Sequence, residues 1–243
     1  ETLAQNNADQ IEKLTISAVE KAESSKEDAD LIAKVVAVAS DELVNKVVEE
    51  VSKSSTDEKQ TLSAQVLKAI VDIDSDKIEI INDDVKDTMI KQTIESAQNQ
   101  QEGTGVQQTQ DMTSIVSDII VNSNTETGSK MIEELNNSST NTENNLSLQV
   151  ISAISEKDTT KLNILSENNK EQIEKLTETA IKNADATEES AELIAKVVSV
   201  ASDELVNKVV EEVSKNSTEE NLALSAKVMK SIVETNPEKI ETL

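Results

Sequence analysis

The sequence predicts an all-α fold: tandem helical-hairpin repeats forming an α-solenoid or an elongated helical bundle, with about four helices per unit. Three observations carry that prediction. The stretch from Val38 to Lys53 returns letter for letter at Val200 to Lys215. Apolar residues recur at helical spacing, with almost nothing alternating as a strand would. Helix-start residues, Ser, Thr, Asp or Asn ahead of an acidic turn, stand at matching places in the copies.

Gln10 to Ile81 aligns without a gap on Gln172 to Leu243, an offset of 172 − 10 = 162 residues. A weaker copy lies between: Ser129 to Leu135 aligns with Asn207 to Val213, an offset of 207 − 129 = 78, and that register holds to Leu165 against Leu243. The copies start at Glu1, Glu79 and Asn163, giving units 1–78, 79–162 and 163–243, the middle one divergent with a loop insertion near 98–109. Glu241-Thr242-Leu243 is in phase with Glu1-Thr2-Leu3, so the third unit carries the start of a further one. Neither end has the polar-faced cap that closes an isolated array, which predicts a fragment of a longer one. No initiator Met or signal-peptide pattern stands at Glu1, consistent with a fragment or a processed product.

Element by element, Leu31, Ile32, Val35, Val36, Val38 and Ala39 form one apolar face. The face of Leu43, Val44, Val47, Val48 and Val51 is turned from it by roughly 130° at the helical pitch. One straight helix cannot bury both, so a break is expected at Ser40-Asp41-Glu42, an N-cap with acids in the first turn. Thr56-Asp57-Glu58 and Thr218-Glu219-Glu220 cap the next helix, which carries Leu62, Val66, Ile70 and Ile73 in the first copy. Asn236-Pro237-Glu238 starts a fourth, with Pro at the first helical position. Leu162, Leu165, Ile173, Leu176, Ala180 and Ala184 keep to one stripe, so a helix is expected to run on from about Lys161 to Asn183. Asn168-Asn169 sits in its middle, placed to kink or divide it.

Each unit then reads as two helical hairpins, and Ala-Lys-Val-Val at Ala195 beside Ala-Lys-Val-Met at Ala226 suggests an older half-unit duplication. The architecture is similar to HEAT-like and tetratricopeptide-like arrays. Their aromatic and Arg signature positions have no counterpart here, so no family follows from it. All three glycines, Gly103, Gly105 and Gly128, lie in the middle copy. Gly128 stands where the other copies have Val44 and Val206, which predicts a weak helix start over Thr125 to Ser129, since Gly costs about 1 kcal/mol relative to Ala. Gln98 to Thr109 is expected to be a longer mobile loop.

Composition excludes several functions. The chain has no Phe, Tyr, Trp, Cys or His, so its core must be Val, Ile, Leu, Ala and Met. Without His or Cys there is no Ser-His-Asp triad, Cys-His dyad or HExxH zinc site. A net charge of −25 and the lack of aromatic platforms argue against nucleic acid. No apolar run approaches the roughly 20 residues that span a bilayer, so no membrane insertion is expected. Gly103-x-Gly105 lacks the rest of a phosphate loop.

The acid pairs Glu49-Glu50 and Glu211-Glu212 are expected on solvated faces. Asp72-Ile-Asp74-Ser-Asp76 has the spacing of a calcium loop's first three ligands but lacks its turn glycine, with Lys77 in that place, and has Asp83 where the bidentate Glu belongs. The other copies read Glu156-Lys-Asp158 and Glu234-Thr-Asn236, so what persists is Asp or Asn at a helix N-cap, and capping is the expected role. Asn137-Ser-Ser and Asn216-Ser-Thr match the glycosylation pattern in a chain rich in those residues. The pairs Val35-Val36 and Val47-Val48 are expected in the core. No catalytic, cofactor-binding or metal residue is assigned, and no cofactor.

The expectation is a non-enzymatic structural repeat of a larger cell-surface or extracellular protein, acting as stalk, spacer or filament scaffold. Its partners would be neighbouring repeat units and like molecules end to end, with weak divalent cation binding to the acidic surface. The alternative is an intracellular, cytoplasmic α-solenoid holding a protein partner through repeated weak contacts. Tight interfaces lean on Trp, Tyr and Arg anchors, all absent here, which favours the first reading.

Overall fold

The computed structural model describes residues 8–53, 56–101, 111–138, 146–182, 184, 187–200, 203–214 and 219–235. Among these the chain is all-helical, a packed bundle with thirteen α-helices, one short 3-10 helix and no strand. It divides into two compact units, Glu1–Asn124 and Thr125–Leu243.

The first unit holds α1 (Ala8–Glu20), α2 (Lys26–Val38), α3 (Asp41–Ser52), α4 (Asp57–Asp74), the 3-10 helix Ser75–Ile80, α5 (Asp83–Gln101) and α6 (Met112–Asn122). Its cap chemistry is legible in the chain. Ser25 Oγ accepts from the Asp28 N–H at 3.1 Å, ahead of an acidic first turn, and so starts α2. The expected break at Ser40 is present: α2 ends at Val38, Ala39 and Ser40 are extended, and α3 begins at Asp41. Ser40 contributes its backbone only, since its hydroxyl makes no cap bond to the first turn. Thr56 likewise precedes α4 in extended backbone.

Packing in this unit centres on α4, which lies against α2, α5 and α6, while α3 lies against α1 and α5. Val44, Val47, Val48 and Val51 of α3 recur at i, i+3, i+4 and i+7, and all are buried. A valine so buried stabilises the fold by about 1.5 kcal/mol or more. In α4 burial goes almost all round, taking in Gln60, Thr61, Ser63 and Gln65 as well as Leu62, Val66, Leu67, Ile70 and Val71. The four-residue stripe expected there was too narrow, and its last member, Ile73, is exposed. On α2 the buried face is Ala29, Ile32, Ala33 and Val36, so Leu31 and Val38, expected inside, are corrected to the surface. The apolar run there is wider than the surface that covers it.

The second unit holds α7 (Thr125–Ser138), α8 (Leu146–Lys157), α9 (Thr159–Asn168), α10 (Lys170–Lys182), α11 (Glu188–Val200), α12 (Asp203–Ser214) and α13 (Glu219–Thr235). Here α11 lies against α8 and α13, and α10 against α7, α8 and α12. The helix expected to run on from Lys161 is divided at Asn169, whose backbone leaves helical geometry at φ −131°, ψ 42°. Asn169 Nδ2 donates to Ser129 Oγ at 2.7 Å, which holds the break against α7. The stripe survives the break, since Leu162, Leu165, Ile173 and Leu176 are all buried.

Gly128 is buried in the first turn of α7, which starts at Thr125 as expected. Gln98 to Gln101, expected to open a loop, belong to α5 instead. Residues 102–110, with Gly103 and Gly105, lie outside the described residues, as do Thr218 and the Asn236-Pro237 helix start. The largest fully buried side chains are Leu, Ile and Met, the aliphatic core that the composition requires.

Candidate functional site

The calcium-like triad is built into caps and ion pairs. Asp74 stands at the N-cap of the 3-10 helix, its carboxylate accepting from the Asp76 N–H at 3.3 Å. Asp158, its counterpart, caps α9 by accepting from the Lys161 N–H at 2.9 Å. Asp72 turns elsewhere: it pairs with Lys68 and accepts from Asn122 Nδ2 at 3.2 Å. Among the described residues no group of three or more acids is arranged to hold a metal ion.

Lys68 lies in a groove of about 280 Å³ between α2, α4 and α6, with Asp118 Oδ2 at 3.4 Å and Gln65, Asp30 and Asp111 on the walls. Burial pulls its pKa down, but the hydrogen bond to Asp72 and the charges of Asp72 and Asp118 outweigh that, and the net shift is upward. A raised pKa keeps the ammonium protonated, the reverse of what a lysine nucleophile needs. Lys161 shifts the other way, lowered by burial against the opposing charge of Asp158.

The acid pairs differ from expectation. Glu49 and Glu211 are exposed, whereas Glu50 is half-buried and Glu212 buried. The second acid of each pair sits one residue before the stripe residue Val51 or Val213, at the margin of the packed face. Glu50 accepts from Lys53 Nζ at 2.6 Å, and this bond, with the carboxylate's charge, raises the lysine's pKa. Asn137 is exposed at the end of α7, and Asn216 lies outside the described residues. Of the valine pairs expected in the core, Val36, Val47 and Val48 are buried there, and Val35 is half-buried.

Polar ties between helices are the feature that pattern reading passed over. Asn45 Nδ2 donates to the Ile80 carbonyl at 2.8 Å, and its Oδ1 accepts from the Asn82 N–H at 2.7 Å. One side chain thus binds the end of the 3-10 helix and the residue before α5. Lys59 Nζ donates to the carbonyls of Glu20, the last residue of α1, and Ala22, just past it, at 3.3 and 2.9 Å. Lys46 pairs with Glu12 at 2.8 Å, joining α3 to α1. Lys208 pairs with Glu174 at 3.5 Å and Glu178 at 2.9 Å, joining α12 to α10. The one sequence signal for the Asn45 and Lys46 ties is that both residues lie within the segment that recurs unchanged, although it does not say what they reach.

One apolar cleft of about 320 Å³ opens between α1 and α2, floored by Val47 of α3 and walled by Leu14, Ala18, Leu31 and Val35. Leu14 is 72% exposed and Leu31 59%, so two large apolar side chains stand at its rim.

No known protein family matches the chain, and no curated protein does. Among solved structures, a cryo-EM structure of a de novo designed 16-helix transmembrane nanopore matches at 14% identity, over 96% of this chain and 66% of that one, with a TM-score of 0.20. The chain thus spans less than two thirds of that structure's length, and at such a score the likeness carries no argument about fold or role. Among the described residues no helix is long and apolar enough to cross a membrane.

Proposed function

We propose that the chain is a non-enzymatic segment of a tandem α-helical array, serving as stalk, spacer or filament scaffold in a cell-surface or extracellular protein. The recurrence of one inter-helix contact carries the reading. Glu12–Lys46 and Glu174–Lys208 are the same two sequence positions one offset apart, and both are ion pairs. Helix bounds recur with them: Ala8–Glu20 with Lys170–Lys182, Lys26–Val38 with Glu188–Val200, and Asp41–Ser52 with Asp203–Ser214. A repeat whose role is to stack keeps helix length and the ties between neighbours, because each unit buries its apolar stripe against the next.

The acidic surface suits the same role. A net charge of −25 opposes lateral clumping of long arrays and leaves divalent cations as bridges between them.

Lengthening the chain tests the reading. An array extended in register by another 162 residues, the spacing of the long repeat, gives one former end unit a neighbour and adds interfaces, so its urea midpoint should rise above that of the present chain. An unchanged midpoint would mean that the units fold independently, and the array reading would fail.

A further inference from the structure

Positions that are buried elsewhere in the sequence repeat are exposed at two faces of this chain. On α1 and α2 these are Ile11, Leu14 and Leu31. Their counterparts in the middle copy, Met89 and Gln92 on α5 and Ile115 on α6, are all buried, and so are Ile173 and Leu176 on α10, whereas Leu193 on α11, which corresponds to Leu31, is half-buried. The cover is known in each case. Helix α4 lies on both α5 and α6, and α8 lies on both α10 and α11. The cleft between α1 and α2 is the equivalent groove, and among the described residues of the first unit no helix fills it.

The helix that corresponds in register to α4 and α8 is α13. Its Leu222 is 59% exposed, Met229 37% and Val233 51%, and Ala226 is exposed with them. The spacing i, i+4, i+7, i+11 puts all four on one face. Their α4 counterparts Gln60, Ala64, Leu67 and Val71 are buried.

The two faces also match each other in chemistry. Where α4 meets α5, the Thr61 and Ser96 hydroxyls pair at 3.0 Å and Gln60 Nε2 donates to Glu95 Oε2 at 2.7 Å. The counterparts of Thr61 and Ser96 are Ala223 and Ala18, so both hydroxyls have become methyl groups. Thr61 also donates to the Asp57 carbonyl at 2.8 Å, so it is Ser96 that a change at Thr61 alone would strand, whereas changing both leaves a dry contact. Gln60 likewise becomes Leu222, and Gln92 becomes Leu14.

We propose that α13 of one molecule seats in the α1–α2 cleft of a second copy of this chain, so that copies add head to tail. The two faces differ, so the contact is heterologous and each docking leaves one free face at either end. Head-to-tail docking stands or falls separately from the spacer role.

Sedimentation equilibrium of the full chain tests it, in about 0.15 M salt where the Debye length is about 8 Å and the net charge is screened. The weight-average mass should climb past the dimer as concentration rises. Leu14→Lys and Met229→Lys change residues already exposed, so each should keep its helical circular dichroism and remain monomeric by itself, with association weakened about 100-fold. Mixed in equal amounts, the two variants should form a heterodimer and nothing larger, because one retains the helix and the other the cleft. A wild-type chain that stays monomeric to millimolar concentration, a mass that levels off at the dimer, or a mixture that stays monomeric would each overturn the proposal.

Discussion

Lys46 stands between two carboxylates, Glu12 across on α1 and Glu42 one turn back on its own helix. The hydrogen bond it donates to Glu12 is the larger cause of its raised pKa, that to Glu42 the next. A raised lysine pKa means that the folded chain holds the proton more tightly than the unfolded one. The stability it adds is therefore complete below about pH 10.5, the unfolded value, and is lost as the pH climbs through the higher folded value. Glu12→Gln should lower the urea midpoint at about pH 9, and the gap to wild type should narrow as the pH passes about 10.5. A gap that stays constant in stronger base would assign the loss to packing. Single residues were the least legible scale. The valines at 44, 47, 48 and 51 announced themselves by spacing, but nothing local says that Asn45 reaches Ile80 and Asn82, because that bond joins segments far apart in the chain. Leu31 and Val38 failed for a related reason, since helical spacing reports apolarity and not whether a neighbour arrives to cover it.

Helices were read more successfully than residues, and their failures have a common cause. The break at Ser40 was visible because two apolar faces diverge there, and divergence is a local property. At Asn169 the faces agree, so the stripe predicted continuity, while Asn168-Asn169 marked the place for a kink or division, and the chain divides there. What decides is the tie from Asn169 to Ser129 on another helix, which no pattern along the chain can display. The polar residues of α4 were missed because a helix enclosed on several sides shows no single stripe. Enclosure has a measurable consequence. Leu67→Ala empties a fully buried site and should cost about 2–5 kcal/mol. Met229→Ala at the corresponding position of α13, where 37% of the side chain is exposed, should cost about 1 kcal/mol or less. Denaturant titration of the two variants reads the difference, and equal losses would show that the two helices are equally enclosed in solution.

For the whole molecule, the all-helical class and the aliphatic core followed from composition and periodicity, because a chain without aromatic residues has few other ways to bury itself. Function was not legible to the same extent. The sequence excludes chemistries by lacking their side chains, and the candidate sites that it did offer are occupied by caps, ion pairs and core contacts. What remains is a molecule whose recurring features are ties between neighbouring helices. The central claim, that these ties belong to a stacking array, is tested most directly by small-angle X-ray scattering on the present chain and on one extended in register. The array account predicts that the maximum dimension grows by a constant increment per added copy while the cross-section stays the same. Growth of the radius of gyration as roughly the 0.38 power of chain length, the scaling of a compact globule, would contradict it.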